Sequence, residues 1–264
     1  MIKIHIASDL HGNINRKNKN MNSLEKLYDP PDCDIVFFCG DFSDGLNCLN
    51  ELKIHYKNKF VIWVAGNHDF YGGDILEYEK IFKNYHNQNF FFLSNDSIEV
   101  KIKNKRLKII GTTLWPDYNL YGNLNEVFLQ EYLLKYNKDH KNIKYNDEYF
   151  SHETLMKLNK ESINFLESKL KYNNNDITII LTHHLPTQKS LSKQFSEYIT
   201  NPLFANNLEY LFYNYKIDYW FHGHSHESCN YIINNTKIMS NPLGYYRDGK
   251  YQNKFWKSDF IIEI

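Results

Sequence analysis

The 264-residue chain has no excess of charge of either sign, because 31 Lys and Arg residues balance 31 Asp and Glu residues. Such a composition gives no general electrostatic attraction to nucleic acid or to an anionic membrane surface. The chain has only four cysteines and no CxxC pair, which argues against a disulfide scaffold or a zinc knuckle. We therefore expect a reducing compartment, and a cytoplasmic location is the simplest prediction.

The sequence also lacks any apolar run that approaches the roughly 18 residues of a membrane span. Its N-terminus begins at once with a strand-like pattern, without the basic and apolar regions of a signal peptide. No internal repeat and no linker rich in Pro, Gly or Ser divides it. These absences argue against a membrane span and predict one domain over residues 1–264.

What the chain does contain is five short polar segments, each placed just after a strand-like apolar run. They are Asp9-Leu10-His11, Gly40-Asp41, Gly66-Asn67-His68-Asp69, Thr182-His183-His184 and Gly223-His224-Ser225-His226. Nearly all of their side chains are carboxylates, imidazoles or an Asn amide, which are ligands that divalent metals accept. Because ligands of α/β proteins bind just beyond the carboxyl ends of strands, the five segments predict one shared pocket.

Each segment on its own also has a structural explanation. A strand-ending turn with an N-cap accounts for Asp9 and His11, and a single histidine such as His183 can be a buried structural residue. Gly40-Asp41 can be a plain turn. All five segments in this order, each after a strand, favour a metal site over these separate explanations.

Elsewhere, strand-like and helical segments alternate as in βαβ units, which predicts an α/β fold. Helical spacing is found at residues 74–86, 154–170 and 203–215. Residues 117–149 are rich in aromatic side chains at helical spacing (Phe128, Tyr132, Tyr136) and contain no strand pattern. We predict a helical insertion there, which either forms a lid or rim of the site or packs its aromatic side chains on the core.

The ordered segments resemble the motifs of the calcineurin-like metallophosphoesterase superfamily: DxH, GD, GNH followed by Asp or Glu, a single His, and GHxH. The resemblance extends from Asp9 to His226 and implies a four-layer α/β/β/α sandwich of two mixed β-sheets flanked by helices. It also implies two divalent metal ions. The first would be held by Asp9, His11, Asp41 and His226. The second would be held by Asp41, Asn67, His183 and His224, with Asp41 bridging the two.

Two ions about 3.5–4 Å apart can hold the attacking and leaving oxygens of a phosphate ester and activate a bound water. The family uses Mn, Fe, Zn, Ni or Mg. Imidazole and carboxylate ligands together suit borderline transition metals, and we favour Mn. The family pattern makes His68 a catalytic residue that protonates the leaving oxygen or binds the phosphoryl group, with Asp69 orienting it. The alternative for Asp69 is an N-cap of the helix that begins near Asp74.

Two residues outside the motifs are candidates for substrate binding. Arg247 lies in a loop after the last motif, and its guanidinium could bind phosphate oxygens, although a solvated Arg is the alternative. His222 immediately precedes the Gly-His-Ser-His segment. Its ring could point to the phosphate or to the core.

The motif segments also indicate which branch of the superfamily this chain resembles. Ser/Thr phosphatases carry an Arg inside the second motif and another shortly after the third, and this chain has neither. It looks more like the small bacterial-type or phage-type metallophosphoesterases. This predicts hydrolysis of a phosphomonoester or phosphodiester by a metal-bound hydroxide, on a small phosphorylated or nucleotide-like substrate, with no membrane partner.

Two other functions stay open. A nuclease of the Mre11 type shares the motifs, but such nucleases append a capping domain that needs more chain than follows His226, so a nucleic acid partner is not favoured. A non-catalytic scaffold on the same fold, as in the retromer subunit of this family, typically loses motif residues. The complete set of motif residues here, including His68, favours an enzyme.

Overall fold

The computed structural model describes residues 1–85, 89–121, 131–132, 135, 137–172, 175–192 and 198–264. The strands of this part of the chain are β1 (Lys3–Ala7), β2 (Ile35–Cys39), β3 (Val61–Val64), β4 (Gly73–Asp74), β5 (Phe90–Phe92), β6 (Asp96–Ile102), β7 (Lys105–Thr112), β8 (Ile143–Tyr145), β9 (Glu148–Tyr149), β10 (Ile177–Thr182), β11 (Tyr219–His222), β12 (Cys229–Ile233), β13 (Thr236–Ser240), β14 (Tyr246–Arg247), β15 (Lys250–Tyr251) and β16 (Ile261–Glu263). The α-helices are α1 (Gly12–Asn18), α2 (Cys48–Tyr56), α3 (Ile75–Asn84), α4 (Asp139–Asn142), α5 (His152–Leu170) and α6 (Glu209–Asn214). Among the described residues, no helix combines the length and the apolar character that a membrane span requires.

Two mixed β-sheets form the centre of the molecule. The first has the strand order β16-β1-β2-β3-β5, in which β1, β2, β3 and β5 are parallel and β16 is antiparallel to β1. The second has the order β12-β13-β11-β10-β7-β6. Its four inner strands are parallel, and the edge strands β12 and β6 are antiparallel to their neighbours.

The side chains of β2 show how the first sheet is buried on both faces. Ile35 and Phe37 lie in the core between the sheets, whereas Val36 and Phe38 lie in the core on the opposite face. Successive side chains of a strand point to opposite faces, so a continuous apolar run produces a strand covered on both sides. The ring of Phe37 stacks on that of Phe221 in β11, with centroids 5.8 Å apart. The second sheet therefore packs directly over the first.

Helices cover the two outer faces of this pair of sheets. On the first sheet, Phe82 of α3 packs against Trp63 of β3, with ring centroids 5.2 Å apart. On the second sheet, Phe212 of α6 packs against Trp220 of β11 at 5.4 Å, and Leu166 of α5 lies in the same core. The layers run helix, sheet, sheet, helix, so the predicted α/β/β/α sandwich of two mixed sheets is confirmed.

The structure differs from the sequence prediction at residues 203–215, where one continuous helix was expected. Helix α6 begins only at Glu209, after a short 3₁₀ turn at Asn201–Leu203. The intervening backbone is paired elsewhere, because Leu185 N–H donates to Phe204 O and Asn206 N–H donates to Leu185 O. These bonds to a distant residue replace those that a helix would have made.

The segment at residues 117–149 also differs from the prediction of a helical insertion without a strand. Strands β8 and β9 lie within it and form a small three-stranded sheet with β4, in the order β4-β8-β9. The short helix α4 precedes β8. Phe128 and Tyr136, two of the three aromatic residues on the expected helical face, lie outside the described residues.

Candidate metal centre

The five polar segments all lie at the carboxyl ends of strands in the two central sheets. In the first sheet they follow β1, β2 and β3, and in the second they follow β10 and β11. Because the sheets pack face to face, these ends meet at one edge of the sandwich. The seven candidate metal ligands are thereby brought together: Asp9, His11, Asp41, Asn67, His183, His224 and His226.

One group of donor atoms surrounds His226. Its Nε2 lies 2.9 Å from His11 Nε2 and 3.3 Å from Asp9 Oδ1, and His11 Nε2 lies 3.7 Å from Asp41 Oδ2. Ligand atoms that each bind one ion at about 2.0–2.2 Å stand roughly 3–3.6 Å from one another in tetrahedral or octahedral sites. The spacing in this group suits one ion.

A second group of donor atoms surrounds His183. Its Nε2 lies 3.1 Å from Asn67 Oδ1, 3.1 Å from His224 Nδ1 and 3.5 Å from Asp41 Oδ2. The same oxygen of Asp41 therefore borders both groups. This is the position that a carboxylate needs if it is to bridge two ions.

The protonation of His183 supports a cation at this place. Its Nδ1 lies 2.8 Å from the carbonyl oxygen of Cys39, and a carbonyl only accepts, so Nδ1 carries the hydrogen and Nε2 presents a lone pair. Burial lowers the pKa of His183 to about 3 even though the carboxylate of Asp9 opposes this, so the ring is neutral. The lone pair of Nε2 faces the oxygens of Asn67 and Asp41. The charged carboxylate and these lone pairs repel one another, and a cation among them relieves that repulsion.

The charge of Asp41 leads to the same conclusion. Burial, and then the carboxylates of Asp9 and Asp69, raises the pKa of Asp41 well above its ordinary value. A divalent cation offsets this cost by stabilising the charged carboxylate. The residues present thus fit a pair of divalent ions in the arrangement that the motifs imply.

The backbone at the centre is held in an unusual conformation. Most of the candidate ligands have a positive φ: Asp9 (55°), His11 (43°), Asp41 (62°), His224 (67°) and His226 (51°). This left-handed region costs an L-residue roughly 1–2 kcal/mol. A concentration of such residues is typical of functional sites, where the surrounding structure maintains the strain.

Two glycines allow the ends of β2 and β3 to approach closely. A Cβ atom at Gly66 would lie 2.2 Å from Asp41 Oδ1, and one at Gly40 would lie 2.5 Å from the backbone nitrogen of Gly66. Any side chain at either position would push these ends apart. The glycines therefore fix the distance between Asp41 and the turn that carries Asn67.

His68 lies beside the candidate centre, with both ring nitrogens occupied. Its Nδ1 is 2.6 Å from Asp44 Oδ1, and its Nε2 is 3.0 Å from the hydroxyl of Tyr245. The backbone N–H of His68 donates to Asp41 Oδ1 at 2.9 Å. His68 is thus tied to the centre through its backbone, while its ring is held between Asp44 and Tyr245.

Asp69 neither orients His68 nor caps a helix, the two roles predicted for it. It is not the partner of His68, and the N-cap of α3 is Asp74, whose Oδ1 accepts from Leu76 N–H at 2.8 Å. The buried carboxylate of Asp69 accepts instead from four backbone N–H groups, those of Asp41 (2.7 Å), Gly66 (2.8 Å), Phe42 (3.0 Å) and Ser43 (3.4 Å). Asp69 therefore joins the turns after β2 and β3, and its predicted role beside His68 is corrected.

We expect Asp69→Ala to destabilise the protein by about 3 kcal/mol or more, because it leaves several buried N–H groups without an acceptor. Chemical denaturation of the metal-free protein measures this loss. Asp69→Asn, which keeps one acceptor oxygen, should lose less. Unchanged stability combined with lost activity would return Asp69 to a direct role at His68.

Asp44 is a site residue that the sequence reasoning missed. Burial raises its pKa, but the hydrogen bonds with His68 and then with Asn13 outweigh this effect, so the pKa of Asp44 lies below its ordinary value. It stands three positions after Asp41, in the same turn. This closeness to a candidate ligand was the signal in the sequence. It makes Asp44 an alternative to Asp69 as the carboxylate that binds His68.

Tyr245 is a second residue that was missed as part of the site. Its ring stacks on His11, with centroids 4.2 Å apart, and its hydroxyl contacts His68. The N–H of the preceding Gly244 donates to Asp9 O at 3.0 Å, which ties the loop after β13 to the end of β1. The signal in the sequence was the position of this loop, directly after a strand that neighbours the Gly-His-Ser-His segment.

Arg247 lies at the mouth of a cavity beside the centre. It is exposed, and its guanidinium carbon stands 4.9 Å from the ring centroid of Tyr245. The cavity measures about 410 Å³ and is also lined by Asn67 and Tyr71. A second cavity of about 350 Å³ lies on the side of His226. Both cavities are lined by four residues in common: Thr200, Phe204, His224 and Tyr245.

His222 does not reach either cavity. The residue is fully buried, its Nδ1 lies 3.1 Å from Gly223 O, and its Nε2 lies 3.3 Å from Cys229 Sγ. Because β11 turns this ring toward the interior, the prediction of His222 as a substrate-binding residue is corrected. Of the two residues predicted to bind substrate, the structure places Arg247 alone at the site.

Comparisons with known proteins agree with this geometry. A family model described as calcineurin-like phosphoesterase matches residues 2–228. The uncharacterized protein L509 of Acanthamoeba polyphaga mimivirus is 26% identical to this chain, over 92% of this chain and 91% of its own length.

Two solved structures share the fold. Phosphopantetheinyl hydrolase (PptH) from Mycobacterium tuberculosis has a TM-score of 0.69 at 15% identity, over 92% of this chain and 89% of its own. The calcineurin-like phosphoesterase YfkN from Bacillus subtilis has a TM-score of 0.50 at 13% identity, over 95% and 87%. Since the family model matches all but the C-terminal part of the sequence, the protein belongs to the calcineurin-like phosphoesterase family.

Proposed function

We propose that the protein is a hydrolase of phosphate esters that works with two divalent ions, held by the two donor groups that meet at Asp41. When bound, such ions neutralise charge on the phosphoryl group and supply an activated water. The observation that carries the proposal is the position of Asp41 Oδ2, 3.7 Å from His11 Nε2 and 3.5 Å from His183 Nε2. One oxygen that borders both groups suits a binuclear centre better than two separate sites.

In this proposal His68 donates a proton to the leaving oxygen. A carboxylate only accepts, so the hydrogen bond with Asp44 places a hydrogen on Nδ1 and directs Nε2 toward the substrate. Asp44 also balances the positive charge that the ring carries when it holds a proton for the leaving group. The hydroxyl of Tyr245 lies 3.0 Å from Nε2, and an oxygen of the substrate can bind in this position.

The surroundings of the centre suit a small phosphorylated or nucleotide-like substrate. The Arg247 guanidinium, positioned over the ring of Tyr245, can donate two hydrogen bonds to phosphate oxygens. The cavity on the side of His226 is lined by apolar and aromatic side chains such as Leu191 and Phe204. It can receive the organic part of such a molecule.

We expect EDTA to abolish hydrolysis and Mn²⁺ to restore it, because every proposed ligand is a carboxylate, an imidazole or an amide that binds such ions reversibly. The measurement is turnover of p-nitrophenyl phosphate and of bis-p-nitrophenyl phosphate, before and after chelation. Preference for the first indicates a monoesterase and preference for the second a diesterase. Boiled protein and Mn²⁺ alone are the controls.

One result would argue against this proposal, and another would change its substrate class. A metal-loaded protein that hydrolyses no aryl phosphate or nucleotide would indicate a scaffold. Cleavage of DNA or RNA without turnover of small esters would indicate a nuclease.

A further inference from the structure

The side chain of Asn67 lies between the candidate centre and Asp139, the first residue of α4. Its Oδ1 is 3.1 Å from His183 Nε2, within the second donor group. Its Nδ2 donates to Asp139 Oδ1 at 2.8 Å, on the opposite side. Asn67 therefore has one end toward the proposed ion and the other toward Asp139.

The two ends of an Asn amide have nearly the same shape but opposite chemistry. The oxygen has lone pairs for a metal, whereas the NH₂ group has hydrogens and no lone pair to offer. A half-turn of the amide would present the wrong end to the ion. The orientation must therefore be fixed by a neighbour that accepts hydrogen bonds and cannot donate them. The carboxylate of Asp139 meets this condition.

Asp139 is itself held firmly at the start of α4. The residue is 7% exposed, and its Oδ1 also accepts from the hydroxyl of Tyr71 at 2.7 Å. Its backbone N–H donates to Asn137 Oδ1 at 2.9 Å. The ring of Tyr71 in turn packs against His68, with centroids 4.1 Å apart. Asp139 thus contacts the turn that carries both Asn67 and His68.

We propose that Asp139 is a positioning residue that keeps the carbonyl oxygen of Asn67 directed at the second metal ion. On this proposal helix α4 contributes to the metal centre through Asp139. The inference rests on the proposed function, since it requires that the second ion binds.

The first experiment replaces the carboxylate by an apolar side chain in Asp139→Leu. We expect the affinity for the second Mn²⁺ to fall roughly 10–100-fold, the usual effect of removing a partner that orients a ligand, while the first Mn²⁺ stays bound. Isothermal titration with Mn²⁺ and elemental analysis after dialysis measure both sites without any assay of activity. Lys141→Ala, an exposed change on the same helix, is the matched control and should bind two ions normally.

The second experiment separates orientation of the amide from general support of the turn. A carboxylate at position 67 has two equivalent oxygens, so its orientation does not matter. We therefore expect Asn67→Asp with Asp139→Leu to bind the second ion at least as well as Asn67→Asp alone, in which two carboxylates face each other. If the double variant loses the ion as Asp139→Leu does, Asp139 supports the turn only and the inference is overturned.

The remaining outcomes distinguish the two proposals. Normal affinity for two ions in Asp139→Leu overturns the inference about Asp139 and leaves the proposed function intact. Failure of the wild-type protein to bind a second Mn²⁺ overturns the binuclear centre itself.

Discussion

The His68→Ala variant is expected to lose about 10²–10⁴-fold in kcat, the usual contribution of a general acid, while it retains two bound metal ions. The reason is that both ring nitrogens of His68 already have hydrogen-bond partners, Asp44 and Tyr245, and neither of these is one of the seven candidate ligands. Steady-state kinetics and elemental analysis on the same preparation give both quantities.

Asp44→Asn is the companion variant for His68. It keeps the size of the side chain but removes the charge beside the imidazole, so we expect a smaller loss of kcat than in His68→Ala, again with normal metal content. If His68→Ala loses its metal ions together with its activity, His68 is a ligand and not an acid. Full activity of Asp44→Asn would remove Asp44 from the catalytic role.

The Asp41→Asn variant is expected to show the opposite behaviour, with loss of the metal centre itself. A neutral amide has one ligand oxygen and no charge, so it bridges two cations poorly. We expect the metal content to fall from two ions to one or none per chain, and activity to fall with it. Titration with Mn²⁺ followed by elemental analysis measures the loss.

The stability of metal-free Asp41→Asn provides its control. Because the pKa of Asp41 is raised by burial and by neighbouring carboxylates, the folded state disfavours its charged form at neutral pH. Removing that charge should leave the metal-free variant at least as stable as the metal-free wild type. A lower melting temperature would mean that the fold is damaged, and binding of two ions with normal affinity would exclude Asp41 as the bridge.

The fold and the meeting of the five polar turns could be predicted because the signals for both are local in the sequence. A run of apolar residues followed by a polar turn is visible without knowledge of the rest of the chain, and the strand order brings such turns together. The two-residue turn at Asn234–Asn235 is also set by local sequence: Ile233 pairs with Thr236, and Asn234 has a φ of 52°, a conformation that Asn tolerates. By contrast, the helix expected from residue 203 was wrong because Leu185 binds that backbone from a distant part of the chain.

The neighbours of the motif residues could not be predicted in the same way. Asp44 and Asp69 both stand within three positions of a candidate ligand, and only the packing of two turns decides which of them meets His68. Asp139 and Tyr245 lie in segments without any motif, and they reach the centre only after α4 and the loop beyond β13 have packed against it. Spacing along the chain carries no signal for such contacts.

The division of the candidate ligands between the two sheets has a consequence for the order of assembly. Asp9, His11, Asp41 and Asn67 follow strands of the first sheet, whereas His183, His224 and His226 follow strands of the second. Neither sheet alone has the complete set around Asp41, so ions held as proposed bind only after the two halves of the sandwich have docked. Interactions that form this late stabilise the native state and slow its unfolding without speeding its formation. The two ions would therefore bind last when the protein folds and would have to dissociate first when it unfolds.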